Sequence, residues 1–136
     1  MAIDYGTKRT GIAVSDPLKI IATGLSTVET KDALLFIENY MKNETIECFI
    51  VGEPKTIFNK DSLIAPKVNE FIKKLSLKFP EIPVKRIDER FTSKIAHQTM
   101  LLGGLKKKDR MNKATVDMVS ATILLQDYMR SPDFQV

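Results

Sequence analysis

The chain has 136 residues, of which 43% are hydrophobic and 28% are charged, and its formal net charge is +4. These values are typical of one globular domain that can bury a substantial core. No apolar run approaches the ~20 residues of a membrane span, and no charged-then-apolar start resembles a signal peptide, so we expect a cytoplasmic protein without membrane contact. The single cysteine, Cys48, and the single histidine, His97, offer neither a zinc site nor a thiol dyad.

The first three predicted elements are strands. A short apolar start runs to Asp4, a turn containing Gly6 follows, and a second apolar run covers 11–14. This arrangement is typical of a hairpin with a carboxylate near the end of its first strand. A third strand is predicted over 20–28, which is rich in Ile, Thr and Val.

Helices and single strands alternate in the rest of the chain. Thr30 can cap a helix that runs to about residue 43, and the apolar run 48–51, with Cys48 as a small buried hydrophobe, predicts a central parallel strand. The remaining predicted elements are a helix over 62–78 with Pro66 in its first turn, a strand over 84–88, a helix from Thr92 or Ser93 to residue 102, a helix over about 112–129, and a frayed tail over 131–136.

This order of elements predicts a single α/β domain over 1–136. Its mixed five-stranded sheet would consist of an antiparallel meander followed by parallel strands, with helices flanking the sheet. Sites in such sheets gather at the carboxyl ends of the parallel strands.

Three carboxylate positions fall where a site is expected. Asp4 and the pair Asp88-Glu89 end two of the predicted strands, and Asp117 is the only charged residue of 114–126. Three converging carboxylates can hold two divalent ions for phosphodiester cleavage, and oxygen ligands suit Mg²⁺ or Mn²⁺. The plain alternatives are that Asp4 caps its turn and that the other acids favour helix amino ends through the helix dipole.

A basic segment precedes the last predicted helix, directly after Gly103-Gly104. It contains Lys106, Lys107, Lys108, Arg110 and Lys113. Charge runs are usually solvated loops. Beside an acidic site, however, such a segment could guide a polyanion into place, and we therefore favour a nucleic-acid partner.

The chain resembles the YqgF family, also called RuvX, of the RNase H-like superfamily. The matching residues are 4–9 (Asp-Tyr-Gly-Thr-Lys-Arg) with Gly11, Ala13, Ser15 and Asp16; Val51-Gly52 with Pro54; Asp88-Glu89-Arg90 with Thr92 and Ser93; and Asp117 with Ala121. The resemblance covers nearly the whole chain. It implies an RNase H-like fold and a metal-dependent nuclease that matures the 5′ end of pre-16S rRNA during ribosome biogenesis, or a resolvase-like enzyme that cuts DNA junctions.

Carried over position by position, the resemblance implies that Asp4, Asp117 and Glu89 are the catalytic acids and, with Asp88 as the alternative to Glu89, the ligands of two Mg²⁺ or Mn²⁺ ions. The expected nucleic-acid contacts are Lys8, Arg9, Arg90, Thr92 and Ser93, together with the basic segment. The two arginines could equally pair with the acids, and Thr92 and Ser93 could be helix caps.

Other readings stay open at this level. A domain that binds nucleic acid without cleaving it would carry the same acids, and 4–7 also resembles the first phosphate loop of actin-like ATPases, which need a second such domain. Glu53 stands where the family has an apolar residue, so it is either a fourth acid or an exposed charge, and the start before Asp4 is short for the family. RNA versus branched DNA, endo- versus exonuclease, and monomer versus homodimer are not decided by the sequence.

Overall fold

One mixed sheet organises the computed structural model, which describes residues 1–16, 18, 21–53, 65–88 and 113–129. The strands lie in the order β3-β2-β1-β4-β5. The elements are β1 (Ala2–Asp4), β2 (Arg9–Ser15), β3 (Ala22–Glu29), a 3₁₀ turn (Thr30–Asp32), α1 (Ala33–Tyr40), β4 (Phe49–Glu53), α2 (Ala65–Lys78), β5 (Val84–Asp88) and α3 (Lys113–Met129).

The pairing confirms the expected sheet, an antiparallel meander joined to parallel strands. β1 pairs with β2 in antiparallel fashion and places Asp4 opposite Gly11. On its other side β1 runs parallel to β4, which runs parallel to β5 and places Glu53 opposite Asp88. The carboxyl ends of β1, β4 and β5 therefore lie at the same end of the sheet, as in the RNase H-like architecture implied by the resemblance.

The two faces of the sheet carry separate apolar clusters because successive strand residues point to opposite sides. On one face, Ile3 and Val51 pack with Ile37 of α1 and Leu75 of α2. On the other face, Ala2 packs against α3 in a cluster that also contains Ala13, Ile50, Ala121, Leu124 and Leu125. Each fully buried aliphatic side chain stabilises the fold by about 1.5–3 kcal/mol. None of the helices in the described part of the chain is long and apolar enough to cross a membrane.

Small residues let α3 lie close to β2 and β3. A Cβ at Gly11 would overlap the main-chain carbonyl oxygen of Asp117, and a Cβ at Gly24 would lie 2.7 Å from Cγ of Met118. The axis of α3 is therefore fixed at the level of Asp117 by a direct contact between backbones.

Three local expectations are wrong. Thr30 does not cap an α-helix: a 3₁₀ turn begins there, α1 starts only at Ala33, and neither cap residue makes a side-chain cap bond. The hydroxyl of Thr30 is instead bonded to the β1–β2 turn. The first helix ends at Tyr40, before the expected residue 43. Cys48 precedes β4 and is only partly buried, because it borders a cavity.

The other described elements agree with the sequence prediction in type and order, although β2 is longer than the apolar run 11–14 and β3 covers Ala22–Glu29 instead of 20–28. Pro66 lies in the first turn of α2, where Val68, Phe71 and Leu75 are buried. The strand over 84–88 has the expected bounds. The predicted helix up to residue 102 and the tail over 131–136 lie outside the described residues.

Candidate active site

The turn after Asp4 is fastened to the end of β3 by Thr30. Its hydroxyl donates a hydrogen bond to the carbonyl oxygen of Gly6, with 2.5 Å between the two oxygens. The same hydroxyl lies 2.8 Å from the hydroxyl of the fully buried Thr10. The main-chain N–H of Thr30 donates a hydrogen bond to the carbonyl oxygen of Lys8 at a distance of 2.9 Å. These three bonds hold the backbone between β1 and β2, and with it the position of Asp4, independently of any ligand.

Tyr5 holds the same turn from the opposite side. Its ring packs at 5.1 Å between centroids against Phe71 of α2. Burial raises the pKa of Tyr5, and the negative charge of Glu70 raises it further. The phenol therefore stays neutral near pH 7, on the α2 side of the sheet.

Asp4 and Asp117 belong to the same face of the sheet. Ala2 lies in the cluster packed on α3, and alternation places Asp4, two residues further along the strand, on that side as well. Its partner across the strands is Gly11, which touches the backbone of Asp117. The structure thus brings together two of the acids predicted from the sequence.

Arg9 pairs with one of these two acids, Asp117. Its Nε donates a hydrogen bond to Oδ2 of Asp117 at a distance of 3.2 Å. The side chain of Arg9 is 37% exposed and that of Asp117 is 28% exposed. Asp117 is the fifth residue of α3, beyond the first turn, where the helix dipole has largely decayed. Its carboxylate is therefore held by the guanidinium charge, and the dipole alternative loses its basis.

A polar group without a partner lies one turn further along α3. The hydroxyl of Ser120 is buried and, within the described part of the chain, forms no hydrogen bond. Buried polar groups are usually satisfied, so this hydroxyl is an exception among the described residues.

The third acid is described only in part. Asp88 ends β5 opposite Glu53, and because neighbouring strands lie about 4.8 Å apart, β5 runs about 10 Å from β1. Glu89 lies outside the described residues, as do Arg90, Thr92, Ser93, Lys106, Lys107, Lys108 and Arg110. Lys113 is the first residue of α3, and Lys8 is exposed in the β1–β2 turn. Among the residues that can be described, no three His, Cys, Asp or Glu side chains form a metal-binding group.

Sequence reasoning missed the roles of Thr30 and Gly11. A glycine inside an apolar strand often marks a close backbone approach, so Gly11 carried a usable signal. Thr30 and Gly6 are 24 positions apart in the chain, so no local sequence pattern predicts the hydrogen bond between them. Asp16, which matches the family pattern, acts in a turn here: its carboxylate accepts a hydrogen bond from the N–H of Ile21 at 2.8 Å.

A separate cavity of about 510 Å³ lies at the opposite end of the sheet. Met1 and Cys48 border it at the amino ends of β1 and β4, with Tyr128 of α3. Burial raises the pKa of the Cys48 thiol, which keeps it protonated and weakly nucleophilic. The cavity therefore contains no activated thiol nucleophile.

Comparison with known proteins gives consistent matches over nearly the whole chain. A family model described as "RuvX: Holliday junction resolvase" matches residues 1–131. A relative from Christiangramia forsetii is 54% identical over 129 residues, which cover 95% of this chain and 96% of the relative. Relatives from Bacteroides thetaiotaomicron and Flavobacterium johnsoniae are 54% and 49% identical over 134 residues, which cover 98% of this chain and 97% of each relative. All three are named "Putative pre-16S rRNA nuclease".

Proposed function

The chain belongs to the RuvX family, and we propose that it is a metal-dependent nuclease that trims the 5′ end of precursor 16S rRNA in the cytoplasm. One observation carries the proposal: Asp4 and Asp117 lie on the same sheet face at the carboxyl end of β1, with Arg9 bonded to Asp117. The names of the relatives support the RNA substrate.

The residues of this site fit Mg²⁺ or Mn²⁺. Both acids offer only oxygen donors, and hard divalent cations prefer oxygen ligands. Asp4, Asp117 and a third acid, either Glu89 or Asp88, would hold up to two such ions. When bound, these ions lower the pKa of a coordinated water and stabilise the charge on the leaving oxygen.

The chain's own groups do the positioning. Thr30 and Tyr5 fix the turn that follows Asp4. The carboxylate of Asp4 would therefore need little rearrangement to bind a metal ion, and such preorganisation favours catalysis. Arg9 and Lys8 place two positive charges beside the site, where they can draw in the phosphate backbone. The basic segment at 106–113 would extend that attraction along the substrate.

The proposal is tested by replacing Asp4 with asparagine. Asp4→Asn keeps the size of the side chain and removes one charged ligand, so cleavage of a labelled RNA spanning the 5′ processing site should fall by at least about 100-fold, a loss typical of removing one charge-stabilising group. Affinity for the RNA should change little. Asp127→Asn is the matched control, because Asp127 is exposed on α3. Activity should require Mg²⁺ or Mn²⁺ and disappear with EDTA.

A DNA-junction resolvase is the second candidate, since the family model itself is described as a Holliday junction resolvase. A labelled four-way DNA junction assayed beside the RNA separates the two. Cleavage of the junction alone would favour the resolvase. Binding of both substrates without metal-dependent cleavage of either would instead indicate a non-cleaving nucleic-acid-binding domain.

A further inference from the structure

The ion pair between Arg9 and Asp117 assigns Arg9 a role in metal binding. We propose that Arg9 is a built-in countercation that holds Asp117 when no metal is bound and competes with a divalent ion for that carboxylate. The inference rests on the metal site of the proposed function, and it makes Arg9 a positioning residue in addition to an RNA contact.

The geometry makes the competition direct. Nε of Arg9 lies 3.2 Å from Oδ2 of Asp117, and Mg²⁺ would approach a carboxylate oxygen to about 2.0–2.1 Å. Two cations that share one carboxylate lie within a few ångströms of each other and repel. Both side chains are only partly buried, so water and salt weaken this repulsion without removing it.

The strand register explains why Arg9 is the residue that does this. Arg9 and Gly11 are two positions apart on β2, so they occupy the same face of the sheet. The contact of Gly11 with the backbone of Asp117 brings α3 within reach of the guanidinium. Removing Arg9 would leave Asp4 and Asp117 close together without this counter-charge.

The sign of the change in metal affinity distinguishes competition from simple support. If Arg9 competes, Arg9→Gln should bind Mn²⁺ about 5–20-fold more tightly, as Coulomb's law gives for a charge about 5 Å away under water-like screening. The metal-free variant should also melt at a lower temperature than wild type, so that Mn²⁺ produces a larger rise in Tm. If Arg9 only orients Asp117, Mn²⁺ should bind more weakly.

The measurement is Mn²⁺ binding by electron paramagnetic resonance, with the melting temperature measured with and without metal. Lys31→Gln is the control for a general charge effect, because Lys31 is exposed and pairs with Glu29 instead of Asp117. It should change the Mn²⁺ affinity less than about 2-fold, as expected for an exposed charge. Arg9→Lys keeps the charge and should stay close to wild type.

A second measurement uses the wild-type protein and does not depend on the variant folding. The Nε–H proton of Arg9, assigned with Arg9→Lys, should shift in the NMR spectrum as Mg²⁺ is added, because its acceptor is withdrawn. An unchanged signal at saturating Mg²⁺ overturns the inference.

Two other results also overturn it: an Mn²⁺ affinity in Arg9→Gln equal to or below that of wild type, and an equal gain in Lys31→Gln. If neither wild type nor Arg9→Gln binds Mn²⁺, the metal site of the proposed function fails and the inference fails with it. If both proteins bind Mn²⁺ but Arg9→Gln binds it no more tightly than wild type, the inference fails and the proposed metal site stands.

Discussion

The hydroxyl of Thr30 fixes the turn that follows Asp4. It bonds the carbonyl oxygen of Gly6 and lies against the hydroxyl of Thr10, and Thr10 is fully buried. A single side chain thus links the end of β3 to the candidate active site.

The first residue-scale prediction is that Thr30→Val destabilises the protein. The change keeps the shape and leaves the Gly6 carbonyl and the Thr10 hydroxyl without their partner, which should lower the free energy of unfolding by about 1–3 kcal/mol. Urea unfolding measures this value. Thr30→Ser should recover most of the loss, and Thr23→Val, at an exposed position of β3, should cost little. Equal losses in the two valine variants would contradict the role given to the hydroxyl.

A second prediction concerns the ion pair between α1 and α2. Lys78 Nζ lies 2.8 Å from a carboxylate oxygen of Glu38, and this hydrogen bond, with the charge of Lys78, lowers the pKa of Glu38 from its ordinary value of 4.5. A carboxylate whose pKa is lower in the folded state contributes stability above its unfolded pKa, and that stability is lost as the pH falls through the folded pKa.

Lys78→Met should therefore lower the Tm slightly at neutral pH and have no effect in strong acid. The difference between the variant and wild type should shrink as the pH falls below about 4.5, the ordinary value, and vanish once the pH is below the depressed pKa of Glu38. Melting curves across this range measure the difference, and NMR titration of Glu38 should show its pKa returning toward the ordinary value. A difference that stays constant into strong acid would assign the loss to packing of the lysine stem.

At the scale of elements, the contact of Gly11 with α3 sets the distance between the sheet and its last helix. Gly11→Ala should push the helix away and destabilise the fold by about 1–3 kcal/mol, as overpacking commonly does. Because the same contact positions Asp117, nuclease activity should fall as well.

Gly24→Ala is the matched comparison for this prediction. A Cβ there would meet the flexible side chain of Met118 instead of backbone, so the methionine can move aside. Thermal melting and cleavage assays on both variants test the idea. Equal effects of the two substitutions would show that the backbone contact at Asp117 has no special role.

The same elements show how far sequence reasoning reaches. Apolar periodicity predicted α2 and β5, because the spacing of apolar residues within each segment indicates which of its faces is buried. The strand over 84–88 even has the expected bounds. The 3₁₀ turn at Thr30 and the overlap at Gly11 depend on partners far along the chain, so no window of neighbouring residues contains them.

The candidate site follows the same division. Asp4 and Asp117 were predicted from their unusual surroundings, and the structure brings them to one face of the sheet. The bond from Arg9 to Asp117 shows that Arg9 pairs with an acid, and its contact with a phosphate backbone stays a prediction. Whether Glu89 or Asp88 supplies the third carboxylate stays a prediction.

For the whole molecule, charge governs how a polyanion arrives. If the lysines at 106–108 contact phosphates, replacing all three by alanine should weaken RNA binding and reduce the slope of log affinity against log salt by about 0.7–0.9 per lost contact. Turnover at saturating RNA should change less. The control is the equivalent charge change on α2 at Lys67, Lys73 and Lys74, all exposed. An unchanged slope for the 106–108 variant would place the RNA on another surface.

The pairing of Arg9 with Asp117 has a consequence for the timing of activity during protein synthesis. The two residues are 108 positions apart, so a nascent chain that still holds α3 inside the ribosome has Asp4 and Arg9 but lacks the other half of the site. If these residues form the proposed active site, such a chain lacks a complete site while it is being made. The proposed nuclease would then become active only once α3 has left the ribosome and packed on the sheet.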